Sequence, residues 1–216
     1  MSDPTGTIQT FTGKRFCYKD PTPESIDITD IAVALSRECR YAGHILLYYS
    51  VAQHCVYVSE VVSLTSTPET ASEVGAVLMQ RGFKDNELRY QLVQDCLAFL
   101  GLMHDATEAY MKDIPSPLKA ILPDYKALEE KAERAVFARF GLLELYENPN
   151  IWETVKRADY GMYLTEVRTL WPNRHIDGHG VPFDVKIHPW DPNEACVRFL
   201  ARFNELKGRL QGVCAS

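Results

Sequence analysis

The sequence predicts an all-α protein, a helical bundle with a short β-like segment at its N-terminus. Three observations lead there. Apolar residues recur at helical spacing through most of the chain after residue 27, cap and stop residues bracket those stretches, and the strand signal is concentrated in the first 25 residues.

Taken in order, residues 1–25 are rich in Thr, Gly, Pro and aromatics and read as short strands or a hairpin leading into a Pro-containing loop. Gly13 and Lys14 do not make a phosphate-binding loop: Gly6 is too far upstream, and Arg15 stands where a metal-binding Ser or Thr is needed. Residues 28–40 carry Ile28, Ile31, Ala32, Leu35 and Cys39 on a helical stripe. Ser50 followed by Gln53 reads as a capping box opening a helix to about Leu64. A helix is expected from about Asn86 to Met103 or a little beyond, and another from Asp124 to Phe140, closed by Gly141 as C-cap. Asn150 to Leu170 follows, stopped by Pro172, which biases Trp171 away from helical geometry. A polar loop with Gly178, Gly180 and Pro182 has room for a short strand. Asp191-Pro192-Asn193-Glu194 then opens the last helix with an N-cap, a first-turn Pro and an acidic third position.

A chain of 216 residues should bury roughly 70% of its unfolded surface, so one domain spanning 1–216 is expected, with no need of disulfide or metal staples. The balance of 29 Asp and Glu against 23 Lys and Arg gives −6. That argues against gripping a polynucleotide, which needs a basic face, but allows a small phosphorylated ligand held by a few local cations. MSDPTGTIQT shows no signal peptide, and the apolar runs fall short of the ~20 residues of a membrane helix. The six cysteines form no CxxC pair. A cytoplasmic, reducing setting is the simplest expectation.

The informative positions are polar residues on apolar stripes. His54 is the strongly polar member of Val51, His54, Cys55, Val58, Val61 and Val62. Leu92, Cys96 and Leu100 form an i, i+4 row whose next member is His104, and Asp105 follows it. Val155, Asp159 and Met162 share a face. Each alone fits a satisfied core histidine or an Asp bonded to backbone amides. Together they point to one shared site, because buried charges are normally paired or metal-bound. Two His and two Asp without a thiolate suit a divalent transition metal such as Mn, Fe, Co, Ni or Zn better than Mg. Glu108 lies four residues after His104, so a helix continued through this stretch puts it on the same side. There it could shuttle a proton for metal-bound water; the alternative is a solvated helix residue.

His54 in YSVAQHCVYVS, the His-Asp pair in LMHDATEAYMKDIPSPLK and Asp159 in VKRAD together resemble the HD-domain metal-dependent phosphohydrolases. Within that superfamily the likeness is to the 5′-deoxynucleotidase branch and its phage-type relatives, including dATP triphosphohydrolases. It spans roughly residues 8–205. The resemblance implies metal ligation by His54, His104, Asp105 and Asp159, with Glu108 as the catalytic carboxylate that activates or protonates around the attacking water. It implies that Asp113 reads the deoxyribose 3′-hydroxyl, with a turn-capping role ahead of Pro115 as the competing reading. Arg40 in ECRYAGH and Lys156 match positions that hold phosphates, and Lys119 is a weaker candidate of that kind. Tyr41 falls where the family often has an aromatic that contacts the base or closes the site, though a core role fits it as well.

The expected activity is therefore release of phosphate or triphosphate from deoxynucleotides, deoxyadenine first, with a divalent transition metal as cofactor. Relatives of this kind commonly self-associate, so a homo-oligomer is expected, although no heptad marks an interface. Two rivals stay open: a non-catalytic nucleotide-binding module with a structural ion, and a cyclic-nucleotide or other phosphodiester hydrolase of the same superfamily. Thr107-Glu108-Ala109 lacks the adjacent acidic pair of the ppGpp-hydrolase branch, and no Gly-x-Ser-x-Gly elbow is present. His175, His179 and His188 are irregularly spaced in a polar loop and read as exposed.

Overall fold

A computed structural model describes residues 5–83, 86–171 and 179–211. Pro172, His175, Gly178 and Cys214, each part of an expectation above, lie outside the described residues. The chain is mostly helical with one small hairpin, in agreement with the expected all-α class.

Strands β1 (Thr7–Gln9) and β2 (Arg15–Cys17) pair antiparallel with Ile8 opposite Phe16. The turn between them includes Gly13 at φ +85°, a left-handed conformation that favours glycine. The hairpin is pinned to the helices at two points. Thr12 donates from its backbone N–H and its hydroxyl to the buried Asp30 carboxylate at 2.7 and 2.9 Å. Phe16, fully buried, stacks on Tyr110 with ring centroids 4.3 Å apart.

Helix α1 (Ile28–Arg37) is capped by Asp27, which accepts from Thr29 N–H. It ends three residues before the expected limit. Glu38 and Cys39 are extended, Arg40 N–H donates to Tyr49 O, and Tyr41, Ala42 and Gly43 take φ of 59°, 51° and 79°. Left-handed backbone at two consecutive non-glycine residues is strained, and such strain gathers at functional sites. Helix α2 (Val51–Val61) continues as a 3-10 turn to Thr65, as expected, but only half of the capping box forms. Ser50 Oγ accepts from Gln53 N–H. The Gln53 side chain instead spans to the late loop, donating to His188 O and accepting from Trp190 N–H. Apart from Glu60, α2 is buried on every side, so it is a central helix and not an amphipathic one.

Helix α3 (Pro68–Gln80), capped by Thr67, was not foreseen. Helix α4 (Asn86–Met103) stops at Met103 and the chain turns through 104–107 before the single-turn α5 (Glu108–Met111). The helix thus ends where the sequence places it, and no helix continues through His104 to Glu108. Single turns α6 (Ser116–Lys119) and α8 (Leu143–Tyr146) flank α7 (Pro123–Arg139). Helix α9 (Pro149–Leu170) is capped by Asn148, and α10 (Pro192–Arg209) by Asp191. No strand forms among the described residues of the loop at 179–190.

Helix α2 packs against α4, with α9 and α10 alongside and α1 across them. Tyr49, Phe99, Phe137, Phe199 and Phe203 fill the core among them. The α2–α4 contact is close because Gly101 has no side chain: a Cβ there would meet Ser59 Cα at 3.2 Å. No helix of the described residues is long and apolar enough to cross a membrane.

Candidate metal centre

The close contact of α2 and α4 brings two imidazoles together. His54 lies one turn into α2, and His104 follows the buried row Leu92, Cys96 and Leu100 at the end of α4. Their Nε2 atoms are 3.2 Å apart. Asp105 Oδ2 stands 3.1 Å from His104 Nε2 and 3.7 Å from His54 Nε2, while Asp159 Oδ1 from α9 stands 3.1 Å from His54 Nε2 and 3.8 Å from His104 Nε2.

The other ring nitrogens decide what this cluster can do. His104 Nδ1 is 2.8 Å from Gly101 O, and a carbonyl only accepts, so Nδ1 carries the proton. His54 Nδ1 is 2.6 Å from Glu166 Oε1, again an acceptor. In the neutral rings both Nε2 lone pairs therefore face the two aspartates, a set of four donors with no hydrogen between them. Two ligands each about 2.1 Å from one ion and roughly 90–100° apart would stand about 3.0–3.2 Å from one another, which matches the short edges. His54, His104 and Asp105 alone already offer ligand atoms within 4.8 Å of one another. The residues thus fit a divalent transition ion. Cys55 lies next to His104, and in the ion-free protein burial pushes its thiol up to about 11.

Without an ion, protons do part of its work. Burial pushes Asp105 up and His104 down, but their attraction prevails, so Asp105 is held below and His104 well above the ordinary range. For Asp159, burial is outweighed by hydrogen bonds to His104 and His54, and its carboxyl is held well below the ordinary range. Burial and the Arg40 charge push His54 down, yet Glu166 and Asp159 leave it raised overall.

Asp105 and Asp159 open onto a cavity of about 780 Å³. Every candidate ligand, catalytic and substrate residue named from the sequence lies at the cluster or on this cavity: His54 and His104 are buried behind it, while Arg40, Tyr41, Glu108, Asp113, Lys119 and Lys156 line it with the two aspartates. The turn after α4 still delivers Glu108 to this side, through its N–H to Asp105 O. Glu108 is buried, with Oε2 lacking a hydrogen-bond partner and Oε1 3.7 Å from Lys119 Nζ. Burial, Asp105 and Asp113 push its carboxyl well above the ordinary range. Asp113 is also raised, first by burial. Its backbone N–H donates to Glu38, and no turn-capping bond from its carboxylate is found among the described residues.

The cations differ in availability. Arg40 is buried, with Nε 3.1 Å from Glu166 and Nη1 3.4 Å from Asp105. Lys119 is 2.7 Å from Glu129. Lys156 is exposed, its Nζ 5.1 Å from the centre of the Trp152 ring. Tyr41, with Trp171 at 4.8 Å between ring centres and Tyr163 beyond, supplies an aromatic wall. His179 and His188 are exposed as expected. His44 borders the cavity and accepts from Trp171 Nε1 through its backbone carbonyl.

One residue escaped the sequence reading. Glu166 on α9 is 0% exposed and contacts His54, Arg40, Tyr41 and Tyr49. Burial pushes it up, but Arg40 and His54 leave it below the ordinary range, ionised. The signal was available: Val155, Asp159 and Met162 form a stripe whose next member is Glu166.

A helical bundle with a two-His, two-Asp cluster opening on a cavity lined by charged and aromatic side chains defines a candidate metalloprotein. The chain belongs to the family of the uncharacterized protein YfdR of Escherichia coli (strain K12), to which it is 38% identical over 206 residues, 92% of this chain and 94% of that protein. It is also similar to the uncharacterized protein RCAP_rcc00048 of Rhodobacter capsulatus, at 31% identity over 150 residues, 68% of this chain and 64% of that protein. No protein-family model matches the chain.

Proposed function

We propose that the protein is a metal-dependent phosphohydrolase of small deoxynucleotides, with deoxyadenine nucleotides as first substrates. The observation that carries this reading is Glu108: a buried carboxyl with an unpartnered oxygen, on the same cavity as the metal-type donor set. A structural ion site needs no such group, which favours an enzyme over a binding module. The resemblance of the ordered His, His-Asp, Glu and Asp motifs to HD-domain phosphohydrolases supports the same conclusion.

His54, His104, Asp105 and Asp159 would hold the ion, and the two Nδ1 hydrogen bonds keep both imidazoles in the ligating tautomer. A divalent ion there supplies a lowered pKa for bound water and polarisation of a phosphoryl oxygen. Glu108, whose carboxyl is pushed upward by burial and neighbouring carboxylates, would give its proton to the leaving oxygen and regain one from the attacking water. Arg40 and Lys156 offset phosphate charge, and Lys119 does so only in part because Glu129 already holds it. Asp113 faces the sugar, and Tyr41 with Trp171 and Tyr163 receives the base. The cysteines among the described residues form no disulfide, which fits a reducing cytoplasmic setting.

The test is to load purified protein with Mn²⁺ or Co²⁺ and assay the four deoxynucleoside monophosphates and triphosphates. Release of phosphate or triphosphate that stops on chelation is expected. No product from any of them overturns the proposal.

A further inference from the structure

Glu166 is enclosed, yet its two oxygens serve two different parts of the site. Oε1 accepts from His54 Nδ1 at 2.6 Å and from the Tyr49 hydroxyl at 3.0 Å. Oε2 accepts from Arg40 Nε at 3.1 Å and from the Tyr41 hydroxyl. An ionised carboxylate has about four lone-pair positions and no donor, so these four donors use its whole capacity.

We propose that Glu166 is a positioning residue that sets the metal end of the site against its phosphate end. Through Oε1 it fixes the His54 tautomer that presents Nε2 to the ion. Through Oε2 it holds the Arg40 guanidinium and the Tyr41 ring on the cavity wall. The contacts close a ring, because Arg40 Nη1 lies 3.4 Å from Asp105 Oδ2, and Asp105 Oδ2 lies 3.7 Å from His54 Nε2. A displacement at either end is therefore felt at the other. The same carboxylate also holds the left-handed turn at Tyr41 and Ala42, whose backbone strain needs a fixed anchor. This inference rests on the metal-centre reading and adds to it a residue that touches neither ion nor substrate.

Glutamine at this position separates the two ends. An amide has one accepting and one donating terminus, so it can satisfy either His54 or Arg40, but not both. In Glu166→Gln, if the amide nitrogen faces His54, Nδ1 must accept, the ring proton moves to Nε2, and Mn²⁺ affinity by calorimetry falls about 10–100-fold, the range for loss of an outer partner. If the carbonyl faces His54, the ion is retained and inorganic phosphate binds the Mn²⁺-loaded variant about tenfold more weakly, as expected for a misplaced guanidinium. A variant with the wild-type melting temperature that binds both probes as the wild type does overturns the proposal. Should the variant fail to fold, nitrogen-15 NMR of ion-free wild type at alkaline pH decides. A proton on His54 Nδ1 is expected, and one on Nε2 overturns it. None of these readouts needs turnover, so a protein inactive on deoxynucleotides would lose the hydrolase reading while this one is judged separately.

Discussion

The Nε2 atoms of His54 and His104 face one another at 3.2 Å, and each ring's Nδ1 is already committed to an acceptor. Two lone pairs at that distance repel unless a proton or a cation stands between them and the adjoining carboxylates. The cluster is thus organised around a positive charge, which different solution conditions can supply in different ways.

The first expectation follows from the donor set. Wild-type protein should bind Mn²⁺ or Co²⁺, and His104→Ala or His54→Ala should weaken binding by more than about 100-fold, beyond the range for losing an outer partner. Metal content after dialysis checks this. Unchanged binding in either variant would remove that histidine from the ligand set.

Protons and metal compete for the same imidazoles, which sets the sign of a pH effect. In the ion-free protein both histidines are raised above their ordinary value, so their stabilising contribution is complete below that value and is lost as pH rises through the folded-state value. The lowered Asp105 and Asp159 lose theirs only on acidification below the carboxylate range, outside this window. Metal binding displaces the protons and strengthens as pH rises. The gap in melting temperature between loaded and chelated protein should therefore widen from about pH 6 to about pH 8.5. A gap that is constant or narrows would contradict the linkage.

Glu108→Gln keeps the volume of the side chain and removes its ability to cycle a proton. Loss of a general acid–base group costs about 10²–10⁴-fold in rate, so kcat on the best deoxynucleotide should fall by that order while Mn²⁺ content is unchanged. Equal rates would take Glu108 out of the mechanism.

How much of this was legible in the sequence differs by element. Ser50 and Asp191 announced two helix starts because a capping side chain acts within three residues of its own position. The row leading to His104 was visible because α4 carries Leu92, Cys96 and Leu100 and ends one residue before the histidine. Arg40 was placed on a helix, whereas it sits at the head of a left-handed turn that no propensity favours at Tyr41 or Ala42. Helix α3 was legible as well, since Thr67-Pro68 is a start signal and Thr70, Val74, Val77 and Leu78 fall on one helical face. Glu166 lay one step beyond the stripe that exposed Asp159. Its partners come from distant residues, and only tertiary packing shows that a carboxylate there is satisfied.

The α2–α4 crossing sets the spacing of the two histidines, and Gly101 sets the crossing. A Cβ at residue 101 would lie 3.2 Å from Ser59 Cα and 3.3 Å from Val58 O, backbone atoms that cannot turn aside. Alanine gains about 1 kcal/mol of helix propensity, whereas overpacking costs about 1–3 kcal/mol. Gly101→Ala should therefore be destabilising by up to about 2 kcal/mol, a fall in melting temperature of up to roughly 8 °C for a chain of this size. The same displacement should weaken metal binding, since Gly101 O also orients His104. A more stable variant would show that the helices can part without strain.

Arg40 and Lys156 share a proposed task but stand in opposite surroundings, so their variants should separate binding from folding. Removing the buried Arg40 leaves Glu166 without its cation, and breaking a buried pair costs about 3–5 kcal/mol. Loss of activity in Arg40→Ala would therefore be ambiguous. Lys156 is exposed and has no ion pair among the described residues, its Nζ lying only over Trp152. In Lys156→Ala the melting temperature should stay within about 2 °C of wild type, since surface changes of this kind are usually within about 0.5 kcal/mol. KM for a deoxynucleotide should rise roughly tenfold, with less change in kcat, if the lysine binds phosphate equally in ground and transition states. The rise should shrink at high salt, because an exposed cation is screened. A variant with wild-type KM at low salt would leave Arg40 as the principal phosphate contact and return Lys156 to the solvated surface.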